Sequence, residues 1–229
     1  MLQAIVFDFD GVLVDSEPLH YRALLRVAES LGIRFDYAQY VARYIGFDDR
    51  EALWNILRDA GRPAGPLDGD AIARLVAAKA DAFEAIVAAG VGSFPGVLDF
   101  IARVRRQVPL AIASGATRRD IGLILGPLGL AECFDPIITA DQVKRSKPDP
   151  QTYALAVAGL ARRRPDLALD PAQCLAIEDT PAGLESARAA GLRTLGITNN
   201  HPPAPLHRAH RVVPSLEGLS LDQLRQWFA

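Results

Sequence analysis

Apolar runs and helical stripes alternate along this chain in an order that predicts its architecture before any single residue is interpreted. Ala4-Ile5-Val6-Phe7 is continuously apolar, the pattern of a strand covered on both faces. Leu110–Ala113 repeats it ahead of helical periodicity from about Arg118, and Pro136–Thr139 precedes a helix from about Pro150. Cys174–Ile177 leads into a helix from about Pro181, Arg193–Thr198 reads as another strand, and Val212-Val213 as a short sixth. An amphipathic turn from Leu221 to Phe228 closes the chain. Such alternation predicts an α/β fold, a Rossmann-like parallel sheet with helices on both faces.

One stretch breaks the rhythm. Residues 16–90 hold helical stripes and no convincing strand. Leu24, Val27, Ala28 and Leu31 form one stripe, ended by Gly32; Leu53, Ile56, Leu57 and Ala60 form another, ended by Gly61. A third helix, about Gly69 to Ala89, carries Ile72, Leu75, Val76, Phe83 and Ile86. The expected organisation is a core domain of residues 1–15 and 91–229 with an α-helical domain, 16–90, inserted between them. Hinges are expected near Asp15-Ser16 and within Val91–Gly96, and a rigid surface loop at Asn199–Pro205.

Composition narrows the class without changing the architecture. At 229 residues with 50% apolar side chains, the chain can build a large core and is not disordered. A net charge of −2 gives no reason to expect nucleic acid or an anionic membrane. No apolar run approaches the ~20 residues that span a bilayer, and Asp8 and Asp10 interrupt the N-terminal one, which lacks a basic leader. Cys133 and Cys174 have no zinc or redox spacing. They read as buried thiols of a cytoplasmic protein, and a monomer is expected.

Four polar clusters fall at the carboxyl ends of predicted strands, where open parallel sheets bind ligands. The first is Asp8-Phe9-Asp10-Gly11. On a strand, residues two apart face the same way, so both acids can enter one space, which a cation or a shared proton would have to compensate. The alternative is a pair of acids opening a turn. The second, Ser114-Gly115-Ala116-Thr117 with Asp120, places small hydroxyl and glycine residues beside a helix N-terminus capped by Thr117, a setting suited to phosphate. In the third, Lys147-Pro148-Asp149-Pro150, Asp149 reads as an N-cap and Pro150 as the first helical residue; Lys147 is a cation for a phosphoryl group or solvated surface. The fourth is Glu178-Asp179-Thr180-Pro181, where capping explains Thr180 and leaves two acids whose hard oxygens suit Mg²⁺.

These motifs, in this order, resemble the haloacid dehalogenase superfamily of phosphotransferases. The match runs from Asp8-x-Asp10-Gly11-Val12-Leu13-Val14-Asp15 through Ser114, Lys147-Pro148-Asp149-Pro150 and Glu178-Asp179-Thr180-x-x-Gly183 to about Leu224. The resemblance is strongest to its β-phosphoglucomutase-like and phosphoglycolate phosphatase-like branches, whose small helical cap the insertion resembles. It implies that Asp8 is a nucleophile and Asp10 a general acid and base. It further implies that Ser114, Gly115 and Lys147 bind phosphate, and that Asp8, the Asp10 carbonyl, Asp179 and, through water, Glu178 hold Mg²⁺. A small phosphorylated metabolite is the implied partner. Dehalogenation, which needs no proton donor, is not expected of a chain with Asp10.

His20 and Lys79 fall where mutase-like members carry a cap histidine and lysine. The cap loop Gly46–Glu51 departs from that pattern, with Asp49 where mutases place an arginine and Arg50 one residue later; Asp48 and Glu51 could instead form a capping box. Ala116 and Arg118 replace residues that grip a second phosphate. Hydrolysis is therefore expected over mutase activity, with Arg50 and Arg118 recognising the far end of the substrate. A different class of reading is a catalytically idle metabolite-binding protein. His201, His207 and His210 could be read as a metal site, but exposed histidines are expected.

Overall fold

In the computed structural model, which describes residues 2–45, 47–62, 69–199 and 206–228, the chain divides into two compact units. One comprises Met1–Asp15 and Gly92–Ala229, the other Ser16–Val91. Strand β1 (Ala4–Phe7) opens the first unit.

The helical unit holds α1 (Glu17–Ser30), α2 (Tyr37–Arg43), α3 (Asp49–Asp59) and α4 (Gly69–Ala88). Leu24 and Val27 of α1, Tyr40 of α2, Leu53 and Ile56 of α3 and Ile72 of α4 bury one another in its core. Helix α2 is absent from the sequence expectation. It is only two turns long, and its start is fixed by a reciprocal cap in which Asp36 accepts from the Gln39 amide while Gln39 accepts from the Asp36 amide. At α3 half of the expected capping box forms, Asp48 accepting from the Glu51 amide at 2.8 Å. Gly46 lies outside the described residues.

The other unit continues with α5 (Val97–Val104), β2 (Leu110–Ala113), α6 (Arg118–Leu125), β3 (Ile137–Ile138) and α7 (Gln151–Arg163). It ends with β4 (Cys174–Glu178), α8 (Pro181–Ala189), β5 (Arg193–Ile197), β6 (Arg211–Val213) and α9 (Leu221–Trp227). The six strands form one parallel sheet in the order β3-β2-β1-β4-β5-β6. All residues of β1, β2 and β4 are buried, which explains why they lack alternation. Helix α5 was not expected, although Val97, Phe100, Ile101 and Val104 are its buried face. Strand β3 is shorter than expected, because Pro136 has no N–H to donate and Thr139 already turns into a 3₁₀ turn at Ala140–Gln142.

The strand order places β1 at the centre, with β2 on one side and β4 on the other. The connection after β1 leads to β2 on one side and that after β4 to β5 on the other, opening between β1 and β4 the crevice in which such sheets place ligands. All four polar clusters start at this edge or in the segments leading from it.

Candidate active site

Asp8 follows β1 directly and extends its pairing with β4: its amide donates to the Ile177 carbonyl at 2.9 Å. The Phe9 amide donates back to Asp8 Oδ1 at 2.8 Å, fixing the carboxylate. The chain then closes a tight turn, Gly11 N–H donating to the Val14 carbonyl at 2.9 Å. Gly11 has φ +77°, and a Cβ there would lie 1.9 Å from Asp179 Oδ2. Only glycine combines that backbone with such an approach. Asp10 therefore sits in the turn beyond β1 and not on the strand, half-buried, yet close enough to act electrostatically on Asp179.

Lys147 joins the two strand ends. Its Nζ lies 2.8 Å from Asp8 Oδ1 and 2.6 Å from Glu178 Oε1. Glu178 is fully buried. Its Oε1 also accepts from the Tyr153 hydroxyl at 3.1 Å, and its Oε2 accepts from the Asp179 amide, the Thr180 amide and the Thr180 hydroxyl at 2.9–3.0 Å. Five donors fill the roughly four lone-pair sites of a carboxylate. A Cβ on Gly183 would stand 1.7 Å from the same Oε1, so the start of α8 closes over this carboxylate.

Among the described residues, Asp8, Glu178 and Asp179 offer oxygens all within 4.8 Å of one another. Burial, reinforced by Glu178 and Asp179, holds the Asp8 carboxyl well above the usual carboxylate range despite Lys147. Burial and then the Glu178 charge push Asp179 up to about 8. Burial opposes the charge on Glu178 too, but Lys147 and Thr180 outweigh it and hold that carboxyl below its ordinary value. Lys147 keeps its proton: burial would lower its pKa, and Asp8 and Glu178 raise it further. Carboxyl groups outnumber cations here, so their full ionisation needs added positive charge, and a hard divalent cation such as Mg²⁺ fits this oxygen set. With Glu178 saturated by donors, Asp8 and Asp179 are the carboxylates suited to meet it.

Ser114 follows β2 as Asp8 follows β1, and register places Phe7 opposite Ile112, so the two ends are neighbours. Ser114 is buried, its Oγ accepting from the Ala116 amide at 2.9 Å, and Gly115 borders open space. Thr117 caps α6, accepting from the Asp120 amide. Asp149 takes the Gln151 amide at 3.0 Å, so the turn after Lys147 closes one residue later than the sequence suggests.

The remaining candidates lie elsewhere. In the helical unit, Lys79 is 2% exposed, pairs with Asp49 at 2.7 Å and donates to His20 Nδ1 at 2.9 Å. An ammonium only donates, so His20 accepts at Nδ1 and carries its proton on Nε2. Burial and the Lys79 charge hold that imidazole down to about 3, and its ring stacks on Phe83. His20 therefore lies within α1 and not at its cap, and Lys79 is not a solvated surface lysine. Arg50 is exposed on a groove of about 670 Å³, beside Phe47, Trp54 and Arg58. Arg118 is engaged at the edge of the sheet. Its guanidinium donates to the Ile137 carbonyl of edge strand β3 at 2.8 Å and to Gln142 of the following 3₁₀ turn at 3.0 Å, outside the carboxylate network.

Tyr153 and Asn199 were missed. Tyr153 sits on the buried face of α7, where a helical stripe reads as core; Asn199 donates to the Gly11 carbonyl at 3.0 Å but carries no motif of its own. The rest of its proline-rich loop lies outside the described residues, as does His201. His210 meets Thr194, its Nδ1 2.9 Å from the hydroxyl. Cys174 is buried as expected. Cys133 is only half-buried, with Arg105 donating to its sulfur at 3.1 Å. No helix among the described residues is long and apolar enough to cross a membrane.

Residues 2–191 match the family model described as a haloacid dehalogenase-like hydrolase. Protein CbbY of Rhodobacter capsulatus is 35% identical over 205 residues, 85% of this chain and 84% of its own. The phosphorylated carbohydrates phosphatase of Thermotoga maritima is 32% identical over 201 residues, 87% of each chain. The crystal structure of a putative β-phosphoglucomutase from Thermotoga maritima is 28% identical with a TM-score of 0.78, covering 98% of this chain and 99% of that one. A family model spanning most of the chain, together with these relatives, makes the protein a member of the haloacid dehalogenase-like hydrolases.

Proposed function

We propose that this hydrolase is a magnesium-dependent phosphatase of small phosphorylated metabolites, of the sugar phosphate or phosphoglycolate type, acting through an aspartyl-phosphate on Asp8. The observation that carries the reading is the buried Asp8 carboxyl group, paired at 2.8 Å with Lys147 in a space where carboxyl groups outnumber cations. The relatives named as phosphatases support it.

An Asp8 oxygen attacks phosphorus, the bond from phosphorus to the substrate oxygen breaks, and the departing oxygen takes a proton from Asp10. Asp10 then removes a proton from water, which attacks the phosphoryl group and returns Asp8 as a carboxylate with release of phosphate. Half-burial suits Asp10 to this exchange, whereas Asp8 is shielded. Lys147, already aligned on Asp8, neutralises the phosphoryl oxygens as their charge grows, with the Ser114 hydroxyl and the Gly115 turn beside it. Magnesium held by Asp8, Asp179 and the Asp10 carbonyl supplies positive charge against the crowded anions. Glu178 contributes mainly by clamping Lys147. In the helical unit, exposed Arg50 is the proposed recognition residue, while His20 and Lys79 are paired with each other and Lys79 with Asp49.

The mutase reading is favoured by His20 and Lys79, but Lys79 is neutralised by Asp49, which weakens it as a grip for a second phosphate. Hydrolysis of p-nitrophenyl phosphate and a panel of sugar phosphates, with and without Mg²⁺, tests the proposal. Asp8→Asn is expected to lower turnover by roughly 10⁴-fold or more with the fold intact. Normal turnover in that variant would falsify the covalent route, and no turnover by the wild type would favour the idle binding protein. Conversion of glucose 1-phosphate to glucose 6-phosphate with little free phosphate would favour the mutase.

A further inference from the structure

We infer that Tyr153 is a positioning residue: through its hydroxyl bond to Glu178 and its ring face beside Lys147, it holds the Lys147 ammonium on the phosphoryl site. The inference rests on the phosphatase reading of that site and assigns a role to a residue outside its motifs.

Tyr153 is completely buried in α7. An ionised carboxylate can only accept, so the tyrosine hydroxyl is the donor to Glu178 Oε1 at 3.1 Å. The same oxygen accepts from Lys147 at 2.6 Å. The Tyr153 ring lies 5.2 Å from Lys147 Nζ, centroid to nitrogen, within the range of a cation–π contact. Lys147 is thus bounded by Asp8, Glu178 and an aromatic face.

A lysine side chain is otherwise flexible, with four carbons to order. Catalysis gains when a charge is already aimed where negative charge develops. As a phosphoryl group arrives, Lys147 must turn from Asp8 toward its oxygens while keeping one anchor. Glu178 is that anchor, and Tyr153 fixes its Oε1, whereas the Asp179 and Thr180 donors all engage Oε2. Without the hydroxyl, Oε1 is held by Lys147 alone. Positioner and positioned then depend only on each other.

Tyr153→Phe keeps the ring and removes the donor; Tyr153→Leu removes both. With Mg²⁺ and p-nitrophenyl phosphate, the phenylalanine variant is expected to lose roughly 10-fold in kcat/KM, the scale of one hydrogen bond to a charged group. The leucine variant is expected to lose more. Inorganic phosphate affinity, by calorimetry on the full chain, should weaken in parallel, with the fold retained at the assay temperature and the melting temperature of Tyr153→Phe lowered by only a few degrees.

Packing alone would give a different pattern in a double-mutant cycle with Lys147→Met. If Tyr153 acts through Lys147, Tyr153→Phe adds no further loss in the Lys147→Met background; losses that multiply overturn the inference. Wild-type values of kcat/KM and phosphate affinity in Tyr153→Phe also overturn it, leaving the phosphatase reading intact. A wild type that hydrolyses nothing defeats that reading, and the phosphate affinities then decide the role of Tyr153: weaker in the variant supports it, equal overturns it. An idle wild type that also has no measurable phosphate affinity overturns both.

Discussion

Lys147 in the sheet unit and Lys79 in the helical unit are largely buried ammonium groups placed against carboxylate and aromatic partners. Lys147 meets Asp8 and Glu178 with Tyr153 at 5.2 Å; Lys79 meets Asp49 and His20 with Phe83 at 5.1 Å. The difference is charge balance. Around Lys79 one cation meets one carboxylate and a neutral imidazole, so the network is complete as folded. Around Lys147 three buried carboxylates share one ammonium, with Asp10 close by. Burial of unbalanced charge costs stability unless something compensates it. The helical network is therefore self-sufficient, and the sheet network is built to receive a cation and a phosphoryl group.

The largest expected effect tests the sheet side of this contrast in metal-free protein. Asp179, at about 8 in the fold, has a raised pKa. Its stabilising contribution is present below the ordinary carboxylate value and lost as pH rises through about 8. Asp179→Asn should then be more stable than the wild type above pH 8, the advantage shrinking by up to about 1.4 kcal/mol per pH unit toward pH 4. Saturating Mg²⁺ should narrow that gap: at 100 times the Kd it adds about 2.7 kcal/mol to the wild type, and little to the variant. Denaturant unfolding in EDTA and in Mg²⁺ measures both. A wild type indifferent to Mg²⁺ and a variant with no advantage at high pH would make the two lysine networks equivalent.

The helical network should respond to pH in the opposite sense. His20 is depressed to about 3, so its contribution is complete above the unfolded value near 6.5 and lost as pH falls below it. By pH 4 the loss is about 3 kcal/mol relative to a non-titrating side chain. His20→Gln should remove that dependence, so unfolding curves of the two proteins converge as the pH is lowered. Parallel curves from pH 7 to 4 would mean that burial and Lys79 do not hold the imidazole neutral.

The same contrast marks what the sequence could reveal. Strands β1, β2 and β4 are legible because burial on both faces leaves continuous apolar runs, and Asp8, Lys147 and Asp179 because each follows a strand or turn that capping does not explain. Charge balance is not legible, since it depends on which partners the fold brings within 3 Å. Nothing local distinguishes Lys79 as buried, or pairs it with Asp49 thirty residues away. Tyr153 is hidden for another reason: its ring obeys the helical stripe of α7, and only its oxygen has a second task. Helix α5 had a readable stripe at 97, 100, 101 and 104, obscured by the glycine-rich segment before it; α2 was too short to show one.

Arg118 gives the smallest expected effect and sharpens the comparison from inside the sheet unit. From the sequence it is a candidate for the far end of the substrate, one residue past the Thr117 cap. In the fold its guanidinium completes the edge of the sheet, covering the Ile137 carbonyl and Gln142, much as Lys79 is completed by Asp49. A charge already satisfied in this way has little to offer a substrate. Arg118→Ala should keep kcat/KM within about twofold for every phosphate ester hydrolysed, and lower stability by about 1 kcal/mol or less, the worth of an exposed hydrogen-bonded side chain. Steady-state kinetics beside denaturant unfolding separate the two effects. A tenfold loss in kcat/KM confined to substrates with an anionic far end, at unchanged stability, would show that the guanidinium leaves the β3 edge when substrate binds, and that completeness in the resting fold does not mark a charge as structural.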